Sequence, residues 1–156
     1  MLPTNHFSLT PIGHISNSRL AVEDDHWGKV VSTITLHAPL TEEALLGLED
    51  FSHAEIIFVF NQVPEHKIET GARHPRNNAV WPKVGIFAQR GKNRPNRLGL
   101  TTVKILKREG HILWVEDLDA VDGTPVLDIK PVMREFLPKG EVRQPAWAAE
   151  LMQNYW

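Results

Sequence analysis

The feature that most restricts how this sequence can fold is a succession of short apolar, β-branched runs, broken by glycine, proline and charged turns. Residues 12–15, 29–36, 54–60, 84–88, 100–106, 111–115 and 126–129 each read as a strand. The runs 100–106 and 111–115, separated by Lys107, Arg108, Glu109 and Gly110, read as a hairpin closed by a glycine-containing turn. Helix signals are few. Thr41 followed by Glu42 and Glu43 starts a short helix over 42–48. Pro145 opens an apolar-periodic segment carrying Trp147, Ala148, Leu151, Met152 and Tyr155. No strand leads through Gly-x-Gly-x-x-Gly into a long helix, so a Rossmann nucleotide site is unsupported. The expected fold is mainly β (α+β): a compact β-barrel with short helices.

Length and composition narrow the function. A chain of 156 residues suits one domain over 1–156. A formal net charge of −2 argues against wholesale coating of nucleic acid, so any polyanion contact must be local. The absence of cysteine removes disulfides, thiolate catalysis and cysteine zinc sites. Eight histidines remain, without His-Glu-x-x-His spacing, and no metal is expected. No basic start followed by an apolar run marks a leader in the first fifteen residues, and no apolar stretch is long enough to span a membrane. A cytoplasmic protein is expected.

Charge is distributed unevenly. Between Glu69 and Glu109 there is no acidic residue, while Arg73, Arg76, Lys83, Arg90, Lys92, Arg94 and Arg97 fall close together among Gly85, Gly91, Gly99, Pro75, Pro82 and Pro95. A one-sign ribbon on a near-neutral protein attracts anions, and its glycines and prolines shape it as loop. A solvated basic loop is the other reading. Arg94 and Arg97 flank a rigid turn. They either fork onto phosphate or carboxylate or cap the turn's own carbonyls.

The second dense stretch is acidic. Asp119, Asp122 and Asp128 lie within it, and Asp122-Gly123 signals a turn. These carboxylates suit a ribose, an amino group or a cationic centre, although Asp122 in an Asx turn would serve only its own backbone. Asp128 is a candidate to pair with an arginine of the ribbon. Asn61 and Gln62, at the end of one apolar run, offer amides suited to an adenine edge. His53 precedes the same run, where a histidine is either catalytic or a hydrogen-bonded structural residue.

Together, Phe51-Ser-His53, Gly85-Ile-Phe-Ala88 with Arg90, Arg94-Pro-Asn96 with Gly99, and the run Asp122-Gly-Thr-Pro-Val-Leu-Asp-Ile-Lys-Pro131 resemble the tRNA N6-threonylcarbamoyladenosine methyltransferase family. The similarity covers residues 9–138, leaving 139–156 as a tail with a short helix. The resemblance implies a small β-barrel that binds S-adenosylmethionine without a Rossmann sheet, acts on tRNA and works as a homodimer. It places Asn61, Gln62, Arg90, Leu100, Asp119, Ala120, Val121, Asp122, Gly123 and Thr124 at the cofactor. The basic residues Arg73, Arg76, Lys92, Arg94 and Arg97 would then hold anticodon-loop phosphates. His53, His74 and Asp24 are the candidates for a general base. The sequence departs from the family's Arg-Pro-Asn-Pro-Ile-Gly at Arg97 and Leu98, and carries Asp24-Asp-His-Trp27 where bacterial members have a more basic loop. It stops at Trp156, so a short form without the bacterial C-terminal extension is expected. A small-molecule or other RNA methyltransferase, and a non-enzymatic RNA-binding barrel, are the alternatives.

Overall fold

The structure, a computed structural model, describes residues 5–156. The first four residues, on which part of the leader reading rests, lie outside it. The strands are β1 (Gly13–Ser16), β2 (Val31–Leu36), β3 (His53–Val59), β4 (Ala72–Arg73), β5 (Val84–Gly85), β6 (Leu98–Glu109), β7 (Ile112–Glu116) and β8 (Pro125–Pro131), followed by helix α1 (Ala146–Leu151). Six of them close into a barrel in the order β1-β2-β7-β6-β3-β8, while β4 and β5 form a separate two-stranded piece.

Alternation explains the closure. Ala54, Ile56 and Phe58 of β3 point inward, as do Ile34 and Leu36 of β2, Val103 of β6 and Leu113 and Val115 of β7. With Ile15, Val126 and Leu118 they fill a barrel interior with no water-exposed surface to speak of. Each buried Val, Leu, Ile or Phe side chain contributes about 1.5–3 kcal/mol. Gly99 lies opposite Phe58 in the ladder. A Cβ there would sit 2.3 Å from the Phe58 ring, so the aromatic takes the space that a side chain at 99 would need.

Several sequence expectations shift. Residues 84–88 do not continue as a strand. After β5 the chain folds into a 3-10 turn, Ile86–Ala88, which buries Ile86 and leaves Phe87 78% exposed. The Gln89 amide fixes this corner by donating to the Arg73 and Val84 carbonyls at 3.1 and 3.0 Å. The hairpin turn is tighter than read: β6 runs to Glu109, Glu109 pairs with Ile112, and only Gly110 and His111 form the loop. A register shift between Ile105 and Lys107 absorbs the extra residue, leaving Leu106 exposed. The helix expected over 42–48 is a 3-10 turn, Glu42–Leu45, capped by Thr41; Gly47, in the left-handed region at φ 87°, separates it from a second turn, Leu48–Asp50. Helix α1 ends before Tyr155, and Pro145 is its N-cap.

The parity of the barrel decides where function can sit. Every neighbouring pair is antiparallel. Around a closed ring of six, strands must therefore alternate in direction, so β1, β3 and β7 end at the rim where β2, β6 and β8 begin. The long connections 17–30, 60–97 and 117–124 all emerge at that one rim. The connection 37–52 and the Gly110-His111 turn occupy the opposite rim.

Candidate functional site

The loop-bearing rim gathers the basic ribbon, the acidic 23–25 loop, the 119–124 turn and the C-terminal segment. Two of these are organised by Asn17. Its Nδ2 donates to Ser32 Oγ (2.9 Å) and to the Ala120 carbonyl (2.8 Å), and its Oδ1 accepts from the Arg19 amide (2.9 Å). The turn replies through Asp122, whose carboxylate accepts from the Asn17 amide at 3.0 Å and whose own amide donates to the Arg19 carbonyl at 2.8 Å. Gly123 completes a tight turn with φ 81°, a conformation costly for any residue with a Cβ. Thr124 is buried and donates to the Val121 carbonyl at 2.6 Å. Asp122 therefore has a backbone-holding role, and Ala120 and Val121 are buried anchors.

Asp119 is the carboxylate left facing the rim. Its Oδ1 accepts from the hydroxyl of Thr101, an inward residue of β6, and its Oδ2 accepts from the Tyr155 hydroxyl. Burial pushes the Tyr155 phenol well above its ordinary range, and the Asp119 charge and hydrogen bond push it further; Arg90 and Arg76 act weakly in the other direction. Next along β6, the Leu100 carbonyl accepts from the Arg90 guanidinium while the Leu100 side chain stays 47% exposed. Arg90, Leu100 and Asp119 are thus brought together at one patch of the rim. Asn61 and Gln62 are exposed and follow β3 at the same rim, where Val59 pairs with Leu98.

The arginines of the ribbon are busier than the sequence suggests. Arg94 Nη1 donates to the Gln89 and Gly91 carbonyls at 2.9 and 3.3 Å, and Arg97 Nη1 to the Val63 carbonyl at 2.9 Å. Both cap the loop's own backbone, which was one of the two readings of this pair. Carbonyls do not cancel a charge, however, so the guanidiniums remain cationic beside their unused N–H groups. Arg76 differs: it forks onto Asp25, with contacts of 2.8 and 3.2 Å, and that ion pair partly neutralises the ribbon. Among the described residues, Arg73 Nε is buried without a partner and Lys92 is half-buried with none. Asp128 accepts from the neighbouring Ile129 amide at 2.9 Å and pairs with no arginine; the acid that meets the ribbon is Asp25.

The candidate bases are scattered. His53 starts β3 on its outward face at the opposite rim, with Nδ1 2.6 Å from Ser52 Oγ. It borders an open groove of about 720 Å³ formed with Phe51, Thr102, Met133, Arg134 and Leu137, away from Asp119. His74 is on the loop-bearing rim, where Nδ1 donates to the Trp81 carbonyl at 2.7 Å. Asp24 is exposed. Among the described residues, no group of three histidines, aspartates or glutamates is placed to hold a metal ion.

Sequence reasoning missed Asn17, Thr101, Trp27 and Tyr155. Trp27 closes the acidic 23–25 stretch, yet it is 3% exposed beneath the Arg19 guanidinium, which lies 3.8 Å from its ring centroid. A tryptophan closing an acidic stretch was the one available signal. Nothing in the sequence pointed Tyr155 at Asp119.

Residues 20–136 match the tRNA-methyltransferase O N-terminal domain. A tRNA (adenine(37)-N6)-methyltransferase of Homo sapiens is 39% identical over 113 residues, which is 72% of this chain and 25% of that protein. A Pseudomonas aeruginosa protein named for S-adenosylmethionine-dependent methyl transfer is 38% identical over 130 residues, 80% of this chain and 54% of that one. The crystal structure of TrmO from P. aeruginosa superimposes with a TM-score of 0.74 at 29% identity, over 94% of this chain and 64% of that chain. The chain spans about half or less of the length of these two sequence relatives.

Proposed function

Because the chain belongs to the tRNA-methyltransferase O N-terminal domain family, we propose that it transfers a methyl group from S-adenosylmethionine to a nitrogen of a modified adenosine, N6-threonylcarbamoyladenosine, in the tRNA anticodon loop. The observation that carries this reading is the meeting of Arg90, Leu100 and Asp119 on the rim that also bears the basic ribbon.

The donor set suits the cofactor's chemistry. An adenosyl amino acid needs a cation for its carboxylate, acceptors for its ammonium and ribose hydroxyls, and an apolar face for its base. Arg90, Asp119 and the exposed Leu98 and Leu100 side chains are of those kinds. Asn61 and Gln62 add amides for the adenine edge. Asp122, Gly123 and Thr124 hold the turn that carries Asp119, and Ala120 and Val121 anchor it in the core. Bound there, the cofactor supplies an electrophilic methyl on a sulfonium. Displacement at such a methyl must be in line, so the protein's main contribution is alignment, a lever worth roughly 7–11 kcal/mol in well-oriented systems. A carboxylate held against the sulfonium itself would stabilise the ground state as well as the transition state. Asp119 therefore serves the ribose or amino end. Arg73, Lys92, Arg94 and Arg97 line up anticodon-loop phosphates, Arg76 being held by Asp25, and an unpaired loop base is splayed towards the rim at modest cost. His74 is on the right rim to take the proton, through its second ring nitrogen.

We read the working unit as a homodimer in the compartment where tRNA is used, the cytoplasm. Apolar side chains left on the outer surface, Phe87 and Val80 among them, support a partner surface. Trp147 is half-buried and gives that idea less support than Trp156, which is 54% exposed. The Arg76–Asp25 pair favours the alternative of a smaller acceptor, because it removes a phosphate contact. Labelled methyl transfer decides between them. Incorporation into tRNA that carries the modified adenosine, and none into tRNA lacking it, supports the reading; label in a small-metabolite extract alone overturns it.

A further inference from the structure

The C-terminal segment 146–156 lies beyond the part of the chain that the family match covers, yet it reaches into the rim. It is held at several points. Trp81 Nε1 donates to Glu150 Oε2 at 2.8 Å, and the His26 and Trp27 amides donate to the Asn154 and Tyr155 carbonyls at 2.9 and 2.7 Å. Gly28 lets the segment approach: a Cβ there would lie 2.5 Å from the Trp156 backbone. Its platform is rigid, because Trp27 is buried under Arg19. Out of this strap a single hydroxyl reaches Asp119.

We propose that Tyr155 is a positioning residue for the cofactor: with Thr101 it clamps the Asp119 carboxylate from two sides and fixes the direction of its free lone pairs. A carboxylate has about four acceptor positions, and the two hydroxyls occupy one on each oxygen. The positions left over are then fixed in space before any ligand arrives. Thr101 holds one oxygen from β6, a strand hydrogen-bonded on both sides within the closed barrel. Tyr155 holds the other from a strap that is outside the barrel. A phenol keeps its proton across the neutral range even at its ordinary value of 10.0, and burial and Asp119 raise it further. Removing the hydroxyl leaves Asp119 free to turn about its side-chain bonds.

The inference rests on the cofactor reading above, and the experiment separates the two. S-adenosylhomocysteine is titrated calorimetrically into the whole chain, into Tyr155→Phe, Asp119→Asn and the double variant, and into Gly28→Ala. Tyr155 is the only tyrosine of the sequence, so a ring-labelled tyrosine gives one NMR signature to follow in the same titrations. The wild type should bind and shift that signature saturably. Tyr155→Phe should weaken binding roughly five- to tenfold, within the range that a typical single hydrogen bond contributes. The double variant should bind no worse than Asp119→Asn alone, because the tyrosine acts through the aspartate. Gly28→Ala should reproduce the loss by lifting the strap without touching either side chain. If Tyr155→Phe binds as well as or better than wild type while Asp119→Asn is impaired, Tyr155 is idle or a competitor; the inference fails and the cofactor reading stands. If the wild type neither binds nor shifts the signature, the cofactor reading falls and takes the inference with it.

Discussion

Single residues set the tolerances of this barrel. Gly99→Ala places a methyl group against the Phe58 ring, which is 1% exposed and has nowhere to retreat. Overpacking of this kind costs about 1–3 kcal/mol, expected as a lower urea midpoint with unchanged slope. Tyr155 makes a second prediction. Burial and then Asp119 raise its phenol pKa, so the neutral form is the one the folded state favours. The stability this gives is present below the ordinary phenol value of 10.0 and is lost as pH rises above it. In the folded protein the phenolate absorbance should stay flat through that value, and Asp119→Asn should bring the titration down. Residues of this sort were only half legible. Gly123 announced a turn beside Asp122, and the turn is there. Nothing local in Thr101 or Tyr155 distinguishes a carboxylate clamp from ordinary polar residues.

At the scale of elements, two contacts tie loops to strands. Arg108 on β6 forks onto Glu49, with contacts of 2.7 and 3.0 Å, joining the hairpin to the 3-10 turns before β3. The guanidinium hydrogen bond is the main reason that the Glu49 carboxyl drops from 4.5 to about 2. A lowered folded-state pKa stabilises above 4.5, and the benefit disappears as pH falls towards 2. Glu49→Gln should therefore be less stable than wild type at neutral pH, and thermal melts of the two should converge across that acid window. The second contact is Asn17, which spans β2, the 17–30 connection and the 117–124 connection. Asn17→Ala strips three hydrogen bonds and should cost about 1–3 kcal/mol, together with a weaker response of the protein's melting temperature to S-adenosylmethionine. Strand positions were readable because alternation is local. The 3-10 corner at 86–88 was not, because its apolar composition matches a strand and only the Gln89 clamp makes it turn.

For the whole molecule, the cofactor and tRNA contacts proposed for the loop-bearing rim should separate experimentally. Arg90→Ala should weaken cofactor binding, seen as a smaller thermal shift at fixed ligand. Lys92→Ala should instead lower tRNA affinity across sequences and reduce the salt slope by about one. Equal loss of both ligands in either variant would contradict the division. Sedimentation of the intact chain, with Phe87→Ser as the comparison, reads the proposed dimer directly: the variant should shift towards monomer.

By itself, the sequence determined that this chain would be a small barrel with a basic, glycine-shaped ribbon and an aspartate turn, because strand periodicity, turn chemistry and runs of like charge are all properties of neighbours along the chain. Only the tertiary structure decided that both segments share a rim, since that follows from six antiparallel strands closing on themselves. It also decided which charges remain available. Asp25 reaches Arg76, backbone carbonyls take Arg94 and Arg97, and Tyr155 reaches Asp119 across 36 residues of sequence. Contacts at such separations depend on how the barrel brings its ends together, which no window of sequence contains.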